Sequence, residues 1–361
     1  MPTPEQFNIF RDTSLDFCDF LEEPRRLVRH RPQVLDTGYT RVATMASLAI
    51  ALRLPLLLFR KPSKNGRKSS NRASDEDAPP QRLLTYNELP DWYRLEASPF
   101  ITSRYRPPSH SIHKSLQSLG HLHNETTNIY THLIPALALA LALPLLQLNI
   151  SDIYADAPWL DRFMLTLTPI AALFTFSASA NFHTLNNHSE VVSLSCLLLD
   201  FTGILTLILA SFISAIYVGF YNHPFEQRLY WSMITILIAT SAVLVLHPAL
   251  QGMKYRPHRT AAFVLTTLSG LGPTVHGMYV HGVSRGWHEF GVKWWAAEGL
   301  WYALGVVFFV SRWPERLAWR SEKSRGRFDV WGGSHSLFHA CVVVGAGCHC
   351  WGVWEAWRNA V

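Results

Sequence analysis

Apolar and polar positions divide the chain into a polar first third and a remainder dominated by long apolar runs. A helix needs about 20 apolar residues to cross the hydrocarbon core of a bilayer. Seven runs approach that length, at roughly 127–147, 163–182, 194–220, 229–247, 261–280, 294–311 and 336–354. A helix satisfies its backbone within each span, so no sheet is needed. The pattern predicts an all-α membrane protein, a seven-transmembrane helix bundle occupying residues 127–361.

The polar third reads differently. Residues 1–82 form an N-terminal region in which Val42 to Phe59 is apolar but carries Arg53 and Pro55. An arginine near the middle costs about 2.5–3.5 kcal/mol on insertion scales, which favours an amphipathic helix on the membrane surface over an eighth span. Residues 61–81 are polar without apolar periodicity and are expected to be a disordered linker. Residues 83–126 regain aromatics, prolines and apolar side chains, and Ser109 to Leu122 reads as a short amphipathic helix ahead of the first span. The first residues lack the basic-then-apolar pattern of a secretory signal peptide.

Charge sets a direction. The chain is 48% apolar and 16% charged, with 32 Lys and Arg. Eighteen of these lie before residue 127, and the loops after the second, fourth and sixth runs carry 0, 3 and 6. The opposite loops carry 1, 1 and 2, and the C-terminal tail 1. Even with the long tail discounted, the positive-inside rule places the N-terminus in the cytosol and the C-terminus outside. The five cysteines, three of them in the last run, form no disulfide framework and read as core residues.

With that direction, titratable residues of the apolar runs gather at one depth. His335 and His339, four apart, share a helix face at the start of the last run. Ser179 and His183 are also four apart and end the second run, while Asp200 interrupts the start of the third. Glu125, Asn128 and His132 line one face at the start of the first. All sit at the cytosolic end. Ionisable residues inside spans are expensive and point to function. Three imidazoles with an open position are the ligand set of a catalytic zinc site, which places Zn2+ on His183, His335 and His339. Asp200 is then the orienter and general base for a water acidified by the metal, and Ser179 a hydrogen-bond donor to that water or to a developing oxyanion.

The stretches NELPDWYR, ITSRYRP and LHNETTNIYTHL, together with FHTLNNHSE and LDFTGI, resemble the progestin and adipoQ receptor family. That family includes the adiponectin receptors, the fungal zinc-homeostasis membrane proteins and the haemolysin-III-like proteins. The likeness runs from about Leu83 to the C-terminus and is closest to a fungal-type, adiponectin-receptor-like member. Its pattern of serine and histidine, aspartate, and histidine pair stands here as Ser179, His183, Asp200, His335 and His339. The resemblance implies zinc on the three histidines, an aspartate reaching it through water, and hydrolysis of a lipid amide such as ceramide, drawn from the membrane. The wider kin includes the alkaline ceramidases. Two other readings are a non-catalytic receptor with structural zinc for an unknown extracellular ligand, and a regulator of zinc homeostasis. The expected location is the endoplasmic reticulum or plasma membrane, with the zinc site near the cytosolic face and a role in lipid metabolism.

Overall fold

The computed structural model describes residues 82–153 and 157–360. The expected helix at 42–59 and linker at 61–81 lie outside the described residues. The described chain is almost wholly helical, its one β-bridge joining Leu84 to Tyr105.

A short juxtamembrane segment carries α1 (Asp91–Arg94) and α2 (Ile112–Gln117). The membrane region follows as α3 (Thr126–Ile153), α4 (Trp159–Leu185), α5 (Glu190–Gly219), α6 (Pro224–Leu246), α7 (Arg256–Leu268), α8 (Leu271–His281), α9 (Val283–His288), α10 (Val292–Ser311), α11 (Glu315–Trp319) and α12 (Ser334–Ala360). Among the described residues, six helices are long and apolar enough to cross a membrane: α3, α4, α5, α6, α10 run on into α11, and α12. The fifth expected run, 261–280, is instead divided between α7 and α8 at Ser269 and Gly270. Apolar length is thus present there without one continuous helix, because hydropathy does not register a break in the hydrogen-bond ladder.

The helix α4 is the centre of the bundle, with 67% of its most apolar window buried against 17% for α3. Small residues explain this. Ala171, Ala172, Ala178 and Ala180 are all buried, letting neighbouring backbones approach where lipid provides no hydrophobic drive to pack. At the α4–α5 contact a Cβ on Gly203 would stand 3.0 Å from Thr175 Cα, and Thr175 Oγ1 donates to the Gly203 carbonyl at 2.8 Å. The middle of the core joins Ala136, Phe176, Leu207 and Ala346 from α3, α4, α5 and α12.

The short helix ahead of the first span is shorter than expected. It occupies Ile112–Gln117, with a tighter turn over Ser118–Gly120. Ser111 caps it, accepting from the Lys114 N–H. The segment is tied to the bundle by Asp329, whose carboxylate accepts four hydrogen bonds, from the N–H and hydroxyl of Thr102 and of Ser103, at 2.7–3.0 Å.

Candidate metal centre

His183 leaves the last turn of α4, and His335 and His339 leave the first two turns of α12. One ligand atom from each lies within 4.8 Å of the others, the only such histidine, cysteine or carboxylate cluster among the described residues. The Nε2 atoms of His183 and His335 are 3.2 Å apart. Zinc–nitrogen bonds of 2.0–2.1 Å in a tetrahedron place two donor nitrogens about 3.3 Å apart. The donor set therefore fits a zinc ion without rearrangement of that pair.

What orients the rings lies largely outside the ligands. His183 Nδ1 is 2.8 Å from Glu125 Oε2, so the carboxylate accepts from Nδ1 and leaves Nε2 free to bind a metal. His339 Nδ1 faces the Asn128 carbonyl at 3.1 Å and Thr131 Oγ1 at 3.2 Å, with the same consequence for its Nε2. Glu125 is itself fixed by Asn128, which donates to Oε2 at 2.8 Å, and its own N–H donates to His123 Nδ1. Burial alone would push the Glu125 carboxyl up, but hydrogen bonds from His183 and Asn128 and the nearby Arg106 charge hold it well below the usual carboxylate range. On His123 burial and the Arg106 guanidinium act together, lowering the imidazole to about 3.

Two further groups hold the helix ends that present the ligands. Arg106, 3% exposed, donates to the His183 carbonyl at 2.6 Å, the Thr184 carbonyl at 2.9 Å and Asn186 Oδ1 at 2.8 Å. It closes the last turn of α4, where carbonyls have no intrahelical partner. Glu315 does the converse for α12, accepting from the Ser334 N–H at 2.7 Å and hydroxyl at 2.5 Å. A carboxylate at the first turn also suits the helix dipole.

Asp200 and Ser179 both line a cavity of about 700 Å³ together with the three histidines. Ser179 lies beside the Asp200 carboxyl, with its Oγ buried. The remaining wall is mostly apolar, built by α5, α7, α8 and α10. All five site residues expected from sequence thus converge on one space. His132 joins them, its ring stacked on His339 at 3.8 Å with both nitrogens unpartnered.

The expectation that titratable groups gather at a single depth is too narrow. Glu298 on α10 pairs with His349 on α12 at 2.8 Å, and the buried Asp161 on α4 accepts from Tyr217, Tyr221 and Trp357. These lie toward the other ends of the same helices. Asp161 precedes the apolar run and reads as its flank, and Glu298 and His349 are 51 positions apart, so only folding pairs them. Arg106 and Glu315 also carry no spacing that marks them as supports, and Glu125, whose spacing with Asn128 does stand in the sequence, meets His183 only by a long-range contact.

With this arrangement in hand, comparison with known proteins is decisive. Residues 120–350 match the haemolysin-III-related family. The chain belongs to this family. The haemolysin-III-related chain is 33% identical over 279 residues to the ADIPOR-like receptor IZH2 of Saccharomyces cerevisiae, covering 77% of this chain and 85% of that one. It is 32% identical to the adiponectin receptor protein of Drosophila melanogaster, over 76% of this chain and 59% of that protein. It is 31% identical to the heptahelical transmembrane protein ADIPOR1 of Oryza sativa subsp. japonica, over 74% and 82%. The molecule is an adiponectin-receptor-like, multi-pass integral membrane protein.

Proposed function

We propose that this protein is a zinc-dependent hydrolase of a lipid amide, with ceramide as the substrate class. The observation that carries the reading is the juxtaposition of three imidazoles, two buried and that of His335 half-buried, with Asp200 and the Ser179 hydroxyl in one largely apolar cavity. A purely structural zinc site is closed by a fourth protein ligand, whereas here the ligand cluster holds three imidazoles and Asp200 is not among them.

In this reading His183, His335 and His339 hold the zinc. When bound, zinc supplies Lewis acidity, polarising a carbonyl and acidifying water. Asp200 accepts the proton of the attacking water and returns it to the amide nitrogen as the carbon–nitrogen bond breaks. Ser179 donates to the carbonyl oxygen as negative charge develops there. The apolar wall takes the hydrocarbon chains and excludes bulk water.

The placement in the membrane belongs to the same proposal. The pair α7 and α8 makes a fifth crossing as a broken helix, giving seven in all, with the juxtamembrane segment and the zinc in the cytosolic half. The host membrane is the endoplasmic reticulum or plasma membrane. The receptor names of the relatives favour a second reading, in which zinc is structural and the protein signals or regulates zinc homeostasis without hydrolysis.

Fatty acid released from ceramide by the reconstituted protein separates the two. Asp200→Asn should retain zinc while the rate falls by about 10²–10⁴-fold, the usual contribution of a general base. Ser179→Ala should cost about tenfold, less than a full oxyanion-hole donor. Equal rates for wild type and Asp200→Asn at matched zinc content would remove the hydrolase reading and leave the receptor.

A further inference from the structure

Two arginines of the cavity wall have no counter-charge. Arg256 opens α7 and Arg312 follows the last residue of α10; both line the cavity and are half-buried. Both reach the thioether of Met253, Arg256 Nη1 at 3.9 Å and Arg312 Nη2 at 3.8 Å. These nitrogens are therefore no farther apart than the sum of the two distances, about 8 Å. A thioether is a weak acceptor, and neither guanidinium has a stronger one among the described residues.

Arg259, one turn along α7, shows how an arginine is satisfied here. It donates to the Leu250 and Gly252 carbonyls at 2.9 and 3.1 Å and pairs with Glu96 at 3.1 Å. The carboxylates of this corner are engaged elsewhere. Glu96 takes Arg259 and the Gly252 N–H, and Glu315 takes the N–H and hydroxyl of Ser334. Among the described residues neither closes an ion pair with Arg256 or Arg312.

The surroundings hold the two charges without cancelling them. Arg256 Cζ lies 4.0 Å from the centroid of the Phe309 ring, a contact that restrains the guanidinium and leaves its charge in place. The same ring stands 5.7 Å from that of His335, so the corner is one side chain away from the histidine cluster. Arg312 takes a left-handed backbone, φ 57° and ψ 27°, which a side-chain-bearing residue adopts at a cost. The first turn of α7 adds the positive end of a helix dipole. Beyond the arginines the wall is apolar, with Phe201, Phe263, Phe309 and Phe338. Two guanidinium forks converging from two helices, beside apolar space, suit an oxyanion on a hydrocarbon chain. A phosphate monoester carries nearly two charges and three acceptor oxygens, so each fork can take an oxygen of its own. A carboxylate has one charge and two oxygens for both.

We propose that Arg256 and Arg312 bind the phosphate monoester of a single-chain lipid whose hydrocarbon lies in the cavity. The inference does not rest on zinc or on hydrolysis, since neither arginine belongs to the histidine cluster.

Binding of radiolabelled dodecyl phosphate to the protein in maltoside micelles, which carry no phosphate, provides the test. Wild type should bind it saturably and about 10–100-fold more tightly than dodecanol, the worth of hydrogen bonds between charged groups. Arg256→Gln and Arg312→Gln should each weaken binding by about tenfold or more. Arg312→Lys, which keeps the charge and loses the fork, should recover part of the loss. Dodecanoate should bind more weakly than the phosphate, and inorganic phosphate at the same concentration should displace nothing. Removal of zinc with a chelator should leave the affinity unchanged, so failure of the metal reading would leave this result standing. Unchanged affinity in both glutamine variants would overturn the proposal, as would loss of binding when zinc is removed, which places the anion on the metal. Inorganic phosphate or dodecanoate competing as well as dodecyl phosphate would also overturn it, the first marking a free-phosphate site and the second a carboxylate site. If the variants do not fold, equal wild-type affinities for dodecyl phosphate and dodecanol would overturn it alone.

Discussion

Glu125 shows how much one side chain can do without touching a reacting atom. It precedes α3, shares a face with Asn128 and His132 in the sequence reading, and ends up 2.8 Å from His183 Nδ1 across 58 positions of chain. Its carboxylate fixes which nitrogen of the ring faces the cluster, and raises the basicity of that nitrogen. Glu125→Gln keeps the size and one acceptor oxygen but loses the charge. The expected outcome is a 10–100-fold fall in zinc affinity with the fold retained, the range usual for such supporting groups. Competition with a zinc-binding dye, run beside His335→Ala as the control that loses a ligand outright, measures it. Unchanged affinity would show that His183 is oriented by other means. Arg106 supports the same ring from the backbone side, closing the helix turn to which His183 belongs.

Among the elements, the α10–α12 pair depends on absent side chains. Gly345, Gly352 and Gly305 each stand where a Cβ would press on a neighbour, at 2.3, 2.8 and 3.1 Å. Tyr302 and Trp295 of α10 occupy the room at Gly345 and Gly352, Phe338 and Cys341 of α12 that at Gly305, and the close approach replaces a hydrophobic drive that lipid cannot give. Gly345→Ala forces the Tyr302 ring away from α12. The expected loss is about 1–3 kcal/mol, the usual effect of overpacking, seen as a lower thermal midpoint in detergent. Zinc content should stay at the wild-type level, since His339 lies six residues, about 9 Å along the helix, from this contact. The divided run α7–α8 belongs to the same scale. A Cβ on Gly270 would meet Phe212 at 3.1 Å and the Thr267 carbonyl at 3.2 Å, so glycine suits the junction between the two helices. Hydropathy alone reads both halves as one span.

For the whole molecule, direction in the membrane is the property on which the chemical reading depends. The Lys and Arg surplus predicts that residues 82–125 and the zinc share the cytosolic half. With the protein in the plasma membrane, a cysteine introduced at the exposed Lys114 should resist a membrane-impermeant maleimide in intact cells and react after permeabilisation, while one added after Val361 should react in intact cells. The reverse pattern would transfer the site and its lipid access to the other leaflet.

The all-helical membrane class and most of the spans were legible in the chain, because apolar length is a local property and each helix closes its own hydrogen bonds. So were the five candidate residues that the fold gathers on one cavity. Their spacings of four on α4 and α12 survive folding, since helical periodicity fixes which side chains share a face. The groups that support them became visible in the fold alone. Glu125, Arg106 and Glu315 reach their partners from 58, 77 and 19 positions away. The pairing of Glu298 with His349 arose in the same way, across 51 positions. No periodicity links such positions; they are brought together where glycines and alanines allow helix backbones to close.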